Sequence, residues 1–356
     1  MGPRRPRGRR RDLRGRAAGT LTGAGPADTR LRVAVVGAGA LGQLVGALLA
    51  HDGRAAPTIV SRRPEAVEAI RYRGIEVRRL ATGDPPLHAR PAVVAAADAP
   101  SAAFDVVLLL NKSYDTGWAI GLARTLAAAD GVVVALQNGL SSAERVERAD
   151  PRGVAGVIYQ GAEYVGPGVV DHTVAGALVA APPPARAARA AALLGRLDSP
   201  ALPVRVVADR DAMLWEKAVG AVSNAVSGAL FLPVRAITRS ASAWEVLERA
   251  RAEVLAVAAA RGVRVDLEVL RSRFAGRPVA RDNPGSTYQS LRSGRGTEIG
   301  DFIGEIEACG AERGVPTPVL ATLRLLVRAR EELSASVPAH PVTSEDAPDG
   351  SNRPNA

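Results

Sequence analysis

Leu31-Arg32-Val33-Ala34-Val35-Val36-Gly37-Ala38-Gly39-Ala40-Leu41-Gly42 is the stretch that decides the fold. Its apolar start, broken only by Arg32, reads as a buried β-strand. Three glycines follow at the spacing Gly-x-Gly-x-x-Gly, and 44–50 then has helical character. In such a strand–turn–helix unit the first glycine permits the tight turn. The second lets a pyrophosphate approach the backbone, and the third lets the helix pack closely. The helix that opens there offers unpaired N–H groups to phosphates. Gly37, Gly39, Ala40, Leu41 and Gly42 are therefore expected to cradle a dinucleotide, the other reading being a glycine turn without a ligand.

Further along, 57–61, 74–80, 104–110 and 132–136 read as strands and 65–72 as a helix. Strands alternating with helices predict a mostly parallel sheet covered on both faces. The runs 154–164 and 169–180, joined by Gly166-Pro167-Gly168, read as a hairpin that ends this unit. A helix at 185–197 and a last strand at 204–207 follow. Beyond Asp209 the pattern changes to long helical segments at 211–230, 242–262, 298–313 and 318–333. A chain of 356 residues exceeds what one core supports. The expected architecture is an α/β N-terminal Rossmann domain over 31–208, which binds the cofactor. An all-α domain over 209–335 follows and carries substrate and catalysis.

The formal charge of +10 is misleading as a sign of nucleic-acid binding. Residues 1–30 hold nine Arg against Asp12 and Asp28, so most of the excess lies in one tail and the body is near neutral. No apolar stretch backs that tail, as a secretory or twin-arginine signal would require. A transit peptide and a polyanion-binding arm fit the composition too, but a disordered extension over 1–30 is the expectation, with a second disordered tail over 336–356. Cys309 is alone and the four histidines are scattered, so neither a disulfide nor a metal site is expected. No run reaches the roughly 18 apolar residues of a membrane span. The expected location is cytoplasmic, with no membrane and no nucleic-acid partner for the body.

Lys112 and Lys217 are the only lysines in an arginine-rich chain. A lysine can give up its proton near neutral pH where its surroundings lower its pKa, and an arginine cannot. Lys112 and Asn138 each follow an apolar run, at the carboxyl ends of expected strands, where open α/β sheets bind ligands. Ser61-Arg62-Arg63 stands where an NAD site usually places an acid. Arginine there suits a 2′-phosphate, so NADPH is the expected cofactor. Lys217 can protonate a carbonyl oxygen as hydride arrives. Asn224 lies on almost the same helical face and can hydrogen-bond a substrate oxygen. The plainer reading of this pair is an amphipathic surface helix. Ser286 opens a helix, either as its cap or as part of an anion site. Glu298 also begins a helix, and either complements its dipole or orients Lys217 or a hydroxyl.

Taken in order, these pieces resemble the ketopantoate reductase (2-dehydropantoate 2-reductase) family. The resemblance runs from about Leu31 to Arg330. It rests on Val36-Gly37-Ala38-Gly39-Ala40-Leu41-Gly42, Asn111-Lys112-Ser113-Tyr114-Asp115-Thr116, Leu136-Gln137-Asn138-Gly139 and Gly166-Pro167-Gly168-Val169-Val170. It continues in Leu214-Trp215-Glu216-Lys217, Ser286-Thr287-Tyr288-Gln289, Gly294-Arg295-Gly296-Thr297-Glu298-Ile299 and Gly314-Val315-Pro316-Thr317-Pro318. The family fold is a Rossmann domain with a helical C-terminal domain and an active site between them. The resemblance implies that Lys217 is the catalytic lysine, with Glu298 near it, and that Ser286 meets the substrate carboxylate. Arg62 would meet the 2′-phosphate, and Lys112, Asn138 and Glu298 would stand where cofactor and substrate meet. The chain departs from the family pattern at Ala221 and Ala225, where asparagines are usual, and at Gly300, where Asp is usual. Asn224 replaces the second asparagine only if one residue is missing between.

What the resemblance implies is NADPH-dependent reduction of ketopantoate to pantoate in pantothenate biosynthesis, with a 2-oxo acid as small-molecule partner and a homodimer as a possible assembly. The alternatives are a paralogous reductase of another 2-oxo acid and a non-catalytic NADP(H)-binding sensor.

Overall fold

The structure is a computed structural model and describes residues 29–266, 268, 279–280 and 283–336. The expected Arg-rich extension, apart from Thr29 and Arg30, lies outside the described residues, as does the expected C-terminal tail beyond residue 336.

The chain begins with β1 (Leu31–Val36), α1 (Ala40–Asp52), β2 (Ala55–Ser61) and α2 (Pro64–Arg73). Three short strands follow: β3 (Ile75–Arg78), β4 (Leu87–Ala89) and β5 (Ala92–Ala95). Then come β6 (Phe104–Leu109), α3 (Thr116–Leu126), β7 (Ala127–Ala135) and α4 (Ser141–Ala149). The half closes with β8 (Gly153–Ile158), β9 (Gly161–Gly166), β10 (Val169–Val174), β11 (Leu178–Ala181), α5 (Ala187–Gly195) and β12 (Val204–Val206).

The main sheet has the order β12-β11-β8-β7-β6-β1-β2-β5. It is parallel from β5 to β8, and β11 enters antiparallel to β8. Parallel strands covered on both faces need apolar residues on both, and β1 supplies them. Val33 and Val35 pack with Leu44 and Leu48 of α1, whereas Ala34 and Val36 pack with Ala119 and Ala123 of α3. The direction of winding reverses at β1, which has β2 on one side and β6 on the other. Ligands of such sheets bind in the crevice that this reversal opens beyond the strand ends.

The runs expected as one long hairpin are each divided between two sheets. β8 and β11 stay in the main sheet, while β9 and β10 pair antiparallel in a second sheet of order β4-β3-β10-β9. Glycines allow the chain to cross itself at both divisions. A Cβ at Gly176 would lie 2.5 Å from the Tyr159 carbonyl oxygen, and one at Gly161 would lie 2.8 Å from the Val174 side chain.

The second half is helical: α6 (Arg210–Leu230), α7 (Val234–Ile237), α8 (Ala241–Ala260), α9 (Ser286–Arg292), α10 (Glu305–Glu312) and α11 (Pro318–Ser336). Asp209 caps α6 by accepting from Ala212 N at 2.9 Å. α6 then buries Val219, Val222 and Val226 among Leu247 and Val254 of α8 and Leu320 and Val327 of α11. The segment expected as a helix from 298 instead opens with a π turn, Gly300–Gly304, ahead of α10.

Candidate active site

The crevice at the winding reversal is formed by backbone. Val36 pairs with Leu109, so the loops that leave β1 and β6 start side by side. Gly37 has φ +110°, and a Cβ there would lie 3.1 Å from Asn111 N. A Cβ on Gly42 would lie 1.8 Å from the Gly37 carbonyl oxygen, which fixes α1 hard against the turn. Gly39 has open space in front of it. No side chain caps α1, and its first turn holds no acid. An open, uncapped, acid-free helix N-terminus at a Gly-x-Gly-x-x-Gly turn fits a dinucleotide pyrophosphate.

Two arginines leave the end of β2. Arg62 pairs with Asp115 at 2.5 Å and stacks over the Trp118 ring at 4.1 Å, at the rim of the cleft. Arg63 instead braces the loop, donating to the Ala38 carbonyl at 2.5 Å and to the Tyr164 hydroxyl at 3.4 Å. Buried Gln43 holds the same carbonyl at 3.2 Å and accepts from Gly168 N at 2.6 Å, tying the glycine loop to the second sheet.

A cleft of about 480 Å³ lies between this surface and the helical half. Lys217, Asn224 and Ser286 line it from the helical side, and the glycine loop, Arg62, Lys112 and Asn138 line it from the other. Ser286 does not cap its helix, because the N-cap of α9 is Gly285. Gly285 has φ +68°, and a Cβ on it would lie 2.8 Å from Asn224 Oδ1. The glycine thus makes room for the Asn224 amide. Ala225 is buried in the helical core, whereas Ala221 faces the cleft.

Of the roles open to Glu298, orienting Lys217 is not the one its hydrogen bonds serve. Its carboxylate accepts from Lys112 Nζ at 3.0 Å, Ser113 N at 2.9 Å and Asn138 Nδ2 at 3.3 Å. Lys217 Nζ donates to the Ile158 carbonyl at 2.8 Å and lies 4.9 Å from the centre of the Tyr159 ring. The reason is topological. Glu298 stands over the ends of β6 and β7, while Lys217 stands over the end of β8. Sequence reasoning also missed Ser113, Tyr159, Tyr164, Asp301 and Glu305. For the acids, their spacing from Glu298 along one helical segment was the available signal.

The profile described as "Ketopantoate reductase PanE/ApbA" matches residues 33–184, and "Ketopantoate reductase PanE/ApbA C terminal" matches 209–331. The chain belongs to the ketopantoate reductase family. It is 32% identical over 309 residues to the 2-dehydropantoate 2-reductase of Halobacterium salinarum, covering 84% of this chain and 98% of the relative. The Pyrococcus horikoshii enzyme of that name is 27% identical over 306 residues, covering 85% of this chain and 98% of the relative. The crystal structure of a PanE/ApbA family ketopantoate reductase from Ralstonia eutropha superposes with a TM-score of 0.70 at 28% identity, over 86% of this chain and all of that one. D-mandelate dehydrogenase with NADH and anilino(oxo)acetate shares the fold, with a TM-score of 0.76 at 23% identity over 86% of this chain and 100% of that one. Ketopantoate reductases are oxidoreductases, and their Rossmann plus helical architecture is the one seen here. Among the described residues no helix is long and apolar enough to cross a membrane.

Proposed function

We propose that the chain reduces 2-dehydropantoate (ketopantoate) to pantoate with NADPH, in pantothenate biosynthesis. The observation that carries this reading is the meeting, in one cleft, of the open α1 N-terminus and Arg62 with Lys217, Asn224 and Ser286. When bound, the cofactor supplies hydride to the C2 carbonyl. The glycine loop would hold its pyrophosphate, and Arg62 would hold its 2′-phosphate. Ammonium groups have three donors, and the bond from Lys217 to the Ile158 carbonyl gives this one a fixed place. Lys217 protonates the C2 oxygen, Ser286 receives the carboxylate, and Asn224 bonds a substrate oxygen. Glu298 acts by holding Lys112 and Asn138 rather than by touching Lys217.

Ala221 favours a second reading. It puts a methyl group on the cleft wall where the family pattern carries an amide, which suits a 2-oxo acid less polar than ketopantoate. NADPH oxidation across a panel of 2-oxo acids tests both. The first expects the highest kcat/KM with ketopantoate, and the second expects it with another member. NADPH binding without turnover of any of them overturns both and leaves a sensor.

A further inference from the structure

Glu298 is the first of three carboxylates that reach from the helical half to the Rossmann half. Asp301 accepts from the Ser113 hydroxyl at 2.6 Å. Glu305 accepts from Leu140 N at 2.6 Å, from Ser141 N at 3.0 Å and from the Ser141 hydroxyl. Spacings of three and four residues keep side chains on one helical face. Here that face spans the π turn and the first residue of α10, and single π turns recur at functional sites.

The targets are two loops that leave neighbouring strands. Ser113 directly follows Lys112, and Leu140 and Ser141 follow Asn138. α4 starts with no side-chain cap from its own sequence, and Glu305 supplies the missing carboxylate from the other domain. Contact is close enough to require glycine. Gly139 has φ +102°, and a Cβ on it would lie 2.7 Å from the Asp301 carbonyl oxygen and 3.2 Å from Glu305 Oε2. Asp301 and Glu305 are not among the residues lining the cleft, so they reach the chemistry through Lys112 and Asn138.

We propose that Asp301 and Glu305 are positioning residues, which dock the helical domain on the loops after β6 and β7 and so set Lys112 and Asn138 in the cleft. The kinetic consequence rests on the reductase reading, and the docking itself does not. Hydrogen exchange of the full-length protein reads the docking directly. Glu305→Ala should speed exchange at 138–142, Asp301→Ala should speed it at 112–116, and peptides from α6 should exchange as in the wild type. Kinetics read the consequence. Misplacing a site group by about 1 Å can cost about 100-fold, so each variant should lose about 10- to 100-fold in kcat/KM for the 2-oxo acid. The NADPH Kd should change less than kcat/KM does, because the glycine loop and Arg62 are untouched. Asp301→Asn should recover most of the loss, since an amide oxygen still accepts from Ser113. Ser113→Ala added to Asp301→Ala should cost nothing more. Unchanged exchange at both loops overturns the proposal. So does a loss of kcat/KM that comes with faster exchange in α6 and a general fall in Tm, which marks a merely structural role. A wild type inactive on every 2-oxo acid but with the expected exchange pattern overturns the reductase reading and leaves the docking standing.

Discussion

The two walls of the cleft are made of different materials. On the Rossmann side the surface that fits a pyrophosphate is backbone, a glycine turn and the first amides of α1, contiguous in sequence. On the helical side it is side chains, Lys217, Asn224, Ser286 and Glu298, carried by α6, α9 and the segment before the π turn. A backbone surface tolerates most sequence change but not an added Cβ. A side-chain surface tolerates backbone adjustment but fails when one functional group is lost. Substitutions on the two walls should therefore fail in different ways.

The largest expected effect is on the helical wall. A positioned general acid contributes about 10²–10⁴-fold. Lys217→Ala should lower turnover by that order while NADPH still binds. Lys217→Arg separates proton donation from charge, because arginine keeps the charge and holds its proton. Arg nearly as poor as Ala supports the general acid, and near wild-type turnover with Arg leaves only an electrostatic role.

The backbone wall should break at one glycine and bend at another. Gly42→Ala drives a methyl group into the Gly37 carbonyl at 1.8 Å, and rigid backbone on both sides cannot yield. Overpacking of this kind costs about 1–3 kcal/mol, so Tm should fall by several degrees and NADPH binding should be lost with it. Gly39→Ala meets nothing within 4 Å. It should fold with the wild-type Tm and weaken NADPH by roughly tenfold, because its methyl group occupies the pyrophosphate's approach. A Gly39→Ala protein that binds NADPH normally would sink the pyrophosphate assignment.

Between the walls lies the contrast of the two nucleotides. Charge-assisted hydrogen bonds contribute about 1.5–3 kcal/mol, or roughly 10- to 100-fold. Arg62→Ala should weaken NADPH by that factor and barely change NADH. Equal effects on both nucleotides, measured by fluorescence titration, would move the 2′-phosphate contact elsewhere. Arg63 and Arg295 are the other guanidiniums that line the cleft, and Arg63 is bonded to the Ala38 carbonyl of the loop.

The same contrast explains what could be read from the sequence. The glycine spacing revealed the Rossmann half because its function lies in local backbone. β1, β2, β6 and α6 were legible from apolar runs and helical periodicity. Lys217, Asn224 and Ser286 could be singled out by residue type, and the structure brings them to one cleft. Their partners could not be read, because those depend on which strand ends face which helix. Orienting Lys217 was one of the roles open to Glu298, and its carboxylate meets Lys112, two strands away in the sheet. The division of 154–164 and 169–180 between two sheets was hidden for a related reason. An apolar run carries no mark of which sheet each part joins, and only the crossings at Gly161 and Gly176 decide it.

The smallest expected effect lies behind the cofactor wall, in the second sheet. His172 on β10 is buried, and its Nε2 lies 2.7 Å from Gln160 Oε1 and 3.0 Å from the Val174 carbonyl. Both partners are acceptors, so Nε2 carries the proton. Nδ1 is buried with no hydrogen-bond partner, so a second proton would place an unpartnered charge in the interior. Burial therefore pushes the His172 pKa below its ordinary 6.5, with Arg79 adding to the shift and the Val174 bond opposing it. A folded-state value below the unfolded one means that the unfolded chain binds the proton more readily. Stability is full above pH 6.5 and is lost as the pH falls from there towards the depressed value. Each unit of depression corresponds to about 1.4 kcal/mol. Tm should fall between pH 7 and pH 5, and the fall should be shallower in His172→Gln, which cannot titrate. Parallel pH profiles for the two proteins would assign the acid sensitivity to other groups and leave His172 a packing residue.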